Sequence, residues 1–124
     1  YYFHPKHRKT GNANACVWCI DYKTEYDLAD MGIKNNYLET RNILTAFNVL
    51  KAQNALQIVG NDDQKNPCYI AKFVNSNPNQ WHGYPGNHVS NNYDKPSPET
   101  LEKFVSANLI SKKDRRRISK GQRL

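Results

Sequence analysis

The stretch NNYLETRNILTAFNVLKAQNAL, residues 35–56, carries the clearest helical pattern in the chain. Ile43, Ala46, Phe47 and Leu50 recur at three- and four-residue intervals, which makes one apolar stripe on a helix. Asn36 stands where an N-cap oxygen would accept an early amide, and Glu39, three residues on, can return the bond. The spacing predicts an amphipathic helix here, the backbone of the core.

The neighbouring segments are read around that helix. ACVWCIDY (15–22) is a short continuous apolar run with aromatic and β-branched residues, the pattern of a buried strand. Thr24 and Asp27 form a capping-box pair and Gly32 stands at a stop position, so 25–31 reads as a short helix. ALQIVG (55–60) and CYIAKFVN (68–75) flank the turn-rich NDDQKNP and predict an antiparallel hairpin. Residues 76–96 read as a long loop, shaped by Pro78, Gly83, Pro85, Gly86 and Pro96. Ser97 and Pro98 are an N-cap and first-turn pair, followed by Leu101, Phe104, Val105 and Leu109 on one side of a helix. Ser111 with Asp114 opens a last basic turn or two, with Ile118 as the apolar anchor.

The expected fold is α+β. It is a single domain over 1–124: an antiparallel sheet of about three strands, packed by the central amphipathic helix, with a basic C-terminal helical pair. A length of 124 residues suits one core. A hydrophobic share of 38% and an aromatic share of 11% are too high for a disordered chain. No apolar run reaches membrane-spanning length, so no membrane partner is expected. Three cysteines, an odd number in a chain with core enough to do without staples, favour a reducing compartment. The cytoplasm is the expected location, reached directly or by delivery as part of a larger secreted protein, since the chain opens on Tyr rather than Met.

Charge is placed at the ends. The formal net charge is +7, and residues 111–124 alone carry seven basic residues against one acid. Residues 1–10 add Lys6, Arg8 and Lys9, within a basic N-terminal segment (1–12), while 11–110 is slightly acidic. Basic ends on a near-neutral body point to polyanions, because Lys and Arg beside phosphates release condensed counterions. RNA or another nucleic acid is the expected partner, with Lys112, Lys113, Arg115, Arg116 and Arg117 gripping the backbone.

The loop supplies the chemistry. His82 and His88 titrate near neutral pH, and a neutral and a charged imidazole together can cleave RNA without a metal, the 2′-hydroxyl being the nucleophile. Lys72 or Arg41 would hold the charge developing on phosphorus, and Trp81 and Tyr84 would stack on an unpaired base. The expected function is a nucleic-acid-directed domain, a metal-independent ribonuclease without cofactor, suited to a toxin-like module of a larger protein. A non-catalytic nucleic-acid-binding module is the first alternative. The second is a protein-interaction module whose basic tail meets an acidic inhibitory protein. His4-x-x-His7 with Cys16-x-x-Cys19 could supply a zinc shell, but a strand would point Cys16 and Cys19 to opposite faces. Phosphate-loop, dinucleotide-binding and serine-hydrolase motifs are absent.

Overall fold

A computed structural model describes residues 1–8, 16–50, 55–76 and 80–124. Parts of four expected features lie outside those residues: 9–12 of the basic N-terminal segment, residue 15 of the first strand, 51–54 of the central helix and 77–79 of the long loop.

The domain is α+β, with three α-helices and antiparallel sheets among the described residues. Its first strand is brief, β1 (Val17–Trp18), because Asp21 already caps a helix, its carboxylate accepting from the Thr24 amide at 2.8 Å. Helix α1 (Tyr22–Lys34) is therefore longer than the 25–31 expected. It buries Glu25, Leu28, Ala29 and Gly32, spaced as one helix face. Gly32 lets the helix approach the sheet closely: a Cβ there would stand 2.7 Å from Leu44 Cδ1.

The described residues of this stretch, 35–50 and 55–56, do not form the expected helix. Asn36 takes a φ of 58°, a left-handed conformation that ends α1 instead of capping a new helix. The chain then forms β2 (Leu38–Thr40), β3 (Ile43–Phe47), β4 (Val49–Leu50) and β5 (Ala55–Leu56). The physical reason is burial on both faces. Leu44, Thr45, Ala46 and Phe47 are all buried, so β3 reads as a continuous apolar run whose spacings happen to fit a helix too. Glu39, expected as a helix cap, accepts from Thr45 Oγ1 (2.9 Å) and the Ser97 amide (3.1 Å) instead.

The expected hairpin is shorter than predicted. β6 (Gly60–Asn61) pairs with β7 (Pro67–Cys68) around a turn where Asp62 Oδ1 accepts from the Gln64 and Asn66 amides. β8 (Ile70–Asn75) pairs instead with β3 and β9. β9 (Trp81–Gly86) corrects the long-loop expectation for 76–96. It is an edge strand, where Pro85 is tolerated because its missing N–H can face away from the partner. The main sheet has the order β2-β3-β8-β9; β1-β6-β7 and β4-β5 form smaller sheets.

Helices cover both faces of the main sheet. On one, Gly32 of α1 meets Leu44, and Trp18 of β1 lies 6.1 Å from Phe73. On the other, α2 (Pro98–Ser106) inserts Phe104 against Phe47 and Tyr37, at 4.7 and 4.3 Å between ring centroids. Ser97 caps α2 as expected, its Oγ accepting from the Thr100 amide. α3 (Lys112–Ser119) opens on the expected Ser111–Asp114 capping box, and Ile118 is fully buried. The basic C terminus is thus a packed helix.

Candidate functional site

Strand alternation decides which side chains can meet. Through pairing with β8, His82 and Tyr84 share a face with Val74 and Lys72, whereas Trp81, Gly83 and Pro85 share the opposite face with Asn75, Phe73 and Ala71. Trp81 and His82 therefore point to opposite sides of one edge strand.

The N-terminal segment wraps that edge. The Tyr2 amide donates to the Trp81 carbonyl at 2.7 Å. Glu25, 1% exposed, anchors the segment twice, accepting from the Tyr1 hydroxyl and from Arg8 Nη2 at 2.6 Å. Arg8 also donates to the Ile20 carbonyl and lies over the Tyr22 ring. Between these anchors a 3-10 turn, Pro5–His7, sets His4 between two other imidazoles: 5.7 Å from His7 and 5.8 Å from His82, centroid to centroid.

Hydrogen bonds give the three rings different roles. His7 Nδ1 donates to the Cys16 carbonyl at 2.8 Å, which leaves Nε2 with no protein partner among the described residues. His4 Nδ1 accepts from the Lys6 amide at 3.1 Å, so the neutral ring carries its hydrogen on Nε2 and can donate from there. His82 Nδ1 lies 3.2 Å from Ser76 Oγ. Burial pushes the pKa of both His7 and His82 below the ordinary value; the Cys16 carbonyl opposes this at His7, and the charge of His4 adds to it at both.

A buried polar group backs the histidines. The Tyr84 ring stacks on His7 at 5.6 Å, and its hydroxyl donates to Asp94 Oδ1 at 2.9 Å. Asp94 also accepts from the Asn87 amide at 2.9 Å. Lys72 Nζ lies 3.8 Å from Asp94, bonds the Tyr93 carbonyl and sits 3.5 Å from the Tyr93 ring centroid. Burial lowers the Lys72 pKa, and burial with the Asp94 charge raises that of Tyr84.

The expected site residues are divided by this geometry. His82 and His88 are not brought together. His88 lies beyond the end of β9, is 5% exposed, and donates from Nε2 to the Gln122 carbonyl at 2.7 Å. Burial depresses its pKa, and its place is to fasten the C-terminal segment. Lys72, 3% exposed, is shut off from any substrate phosphate. Arg41 is exposed in the β2–β3 turn, at the His82 end of the sheet and between two and three strand spacings, about 10–14 Å, across from it. Tyr84 is committed to His7 and Asp94, so it does not join Trp81 as a stacking pair. On α3, Lys112, Lys113 and Arg116 are exposed and Arg117 partly so, while Arg115 pairs with Glu102.

The zinc alternative finds no shell: Cys19 is exposed with its thiol toward the Ile58 carbonyl, and Cys16 offers its carbonyl to His7. No group of three or more His, Cys, Asp or Glu among the described residues is arranged to hold a metal ion. Nor is any described helix long and apolar enough to cross a membrane. Sequence reasoning missed His4 and His7 as companions of His82, although their spacing had drawn attention as a ligand pair. Comparison with protein-family models, curated proteins and solved structures found no match to this chain.

Proposed function

We propose that this domain acts on RNA as a metal-independent phosphodiester-cleaving module, with the acid and base drawn from His7 and His82. The observation that carries the reading is the row His7, His4, His82 at one sheet edge, with neighbouring rings under 6 Å apart. His82, held toward its neutral form, takes the proton of the 2′-hydroxyl, whose oxygen attacks phosphorus. The bond to the 5′ oxygen breaks, and His7, starting as the imidazolium, gives its Nε2 proton to that oxygen and is left neutral with Nδ1–H on the Cys16 carbonyl, the bond that supports the charged ring against burial. A 2′,3′-cyclic phosphate and a free 5′-hydroxyl result. His4 Nε2–H donates to a non-bridging phosphate oxygen, and the exposed Lys6, in the turn between His4 and His7, is the cation beside the row, with Arg41 farther along the same end of the sheet.

The test is cleavage of a single-stranded RNA in the presence of a chelator. Changing His82 or His7 to Ala should lower the rate by about 10²–10⁴-fold, the usual worth of a general acid or base, with the circular dichroism spectrum retained. A DNA strand, lacking the 2′-hydroxyl, should survive. Full activity in both variants would overturn the reading.

A second reading, non-catalytic RNA binding, draws on α3, where Lys112, Lys113 and Arg116 are exposed without an ion pair among the described residues. Salt-sensitive RNA binding without turnover would favour it. The same helix face would suit an acidic inhibitory protein, which high salt should release.

A further inference from the structure

On the opposite side of β9 from the histidines lies a cleft of about 160 Å³, lined by Tyr1, Tyr26, Ala29, Asp30, Ile33 and Trp81. A water needs about 10–15 Å³ measured in this way, so the cleft has room for a small organic group. We propose that it binds a quaternary or multiply methylated ammonium group, held against the Tyr1, Tyr26 and Trp81 rings and neutralised by Asp30.

Three observations select that chemistry. First, the Tyr1 and Tyr26 rings stand perpendicular, 90° apart with centroids at 6.0 Å. Perpendicular walls suit a rounded cation that faces each π surface in turn, whereas a flat nucleobase needs parallel ones. Second, the rings are anchored: the Tyr1 hydroxyl is tied to buried Glu25, and Trp81 sits on a strand whose carbonyl accepts the Tyr2 amide. Third, a carboxylate, Asp30, lines the cleft on a chain that is +7 overall. The neighbouring acids of α1 are matched by cations, Glu25 by Arg8 and Asp27 by Lys23, so Asp30 is the carboxylate that bears on the cleft. Asp30 is held by Lys34 alone, through Oδ2 at 2.8 Å, and that pair is exposed, so it is weak and leaves Oδ1 facing no protein partner among the described residues. A methylated ammonium is favoured over a bare one because its lower hydration makes entry to an apolar cleft cheaper.

The experiment follows the Trp81 indole N–H signal by NMR while the intact chain is titrated with tetramethylammonium chloride, against sodium chloride at equal ionic strength. A saturable shift in the millimolar range is expected. The Tyr26→Leu variant changes a half-exposed ring and spares the core; it should weaken binding about two- to fivefold, the ~0.5–1 kcal/mol of an exposed cation–π contact. Asp30→Asn should weaken it as well. The uncharged choline isostere 3,3-dimethylbutanol should produce no saturable shift. A linear response to tetramethylammonium, equal binding of the neutral isostere, or unchanged affinity in both variants would each overturn the proposal. Choline and free Nε-trimethyl-lysine, titrated in parallel, distinguish a small-molecule source from a modified side chain by which binds more tightly.

Discussion

His88 illustrates how a single buried imidazole fixes the pH range of the fold. Its Nε2–H holds the Gln122 carbonyl, and burial, together with the charges of Lys95 and Arg123, disfavours the protonated ring. His7 and His82 are shifted in the same direction, chiefly by burial. In the unfolded chain a histidine titrates near 6.5, so between that value and the lower folded pKa the unfolded state binds more protons. Stability therefore rises with pH across this window; the contribution is fully present above about 6.5 and is lost on acidification. Chemical denaturation at pH 7 and pH 5 should show lower stability at pH 5. In His88→Gln, which can still donate to the carbonyl but does not titrate, the loss between the two pH values should be smaller. An equal loss would mean that His88 is not part of the acid sensitivity.

Among the elements, those set by local chemistry were legible and those set by pairing were not. Ser97 with Pro98 and Ser111 with Asp114 announce α2 and α3, because a cap acts within a few residues of the amides it satisfies. β3 was hidden because a strand covered by α1 on one face and α2 on the other shows no alternation. β9 was hidden by Gly83, Pro85 and Gly86, residues that signal turns; here they lie along β8, and a Cβ at position 83 would run into Phe73 at 2.4 Å. The candidate site was legible in part: His82 stood out, but its neighbour His4 is reached only when the N-terminal segment wraps the β9 edge. The misread junction at Asn36 makes its own prediction. Asn36→Gly should leave stability almost unchanged, since glycine accepts the left-handed conformation, while Asn36→Val should cost about 1–2 kcal/mol in urea unfolding. If valine is tolerated as well as glycine, the left-handed turn is not what separates α1 from β2.

For the molecule as a whole, charge and packing are divided between the two sides of one short helix. α3 carries five basic residues in eight, yet Ile118 on its inner side is fully buried, and Arg115 is drawn back to Glu102 on α2. Removing residues 112–124 would therefore strip the core of Ile118 and the carbonyl that His88 holds, confusing loss of charge with loss of fold. Neutralising the outward residues avoids this. A variant with Lys112, Lys113, Arg116 and Arg117 all changed to Gln keeps the capping box and Ile118, and glutamine is as good a helix former as lysine or arginine. If these four side chains neutralise phosphates, each contributes roughly 0.7 to the slope of log K against log salt on a single strand, so the slope should fall by up to about 3. Thermal unfolding should be nearly unchanged, because the altered side chains are exposed or half-exposed. A slope that stays at the wild-type value in a folded variant would place the RNA away from α3, and the cations that meet it would then be sought in the N-terminal segment beside the histidines and at Arg41 across the sheet.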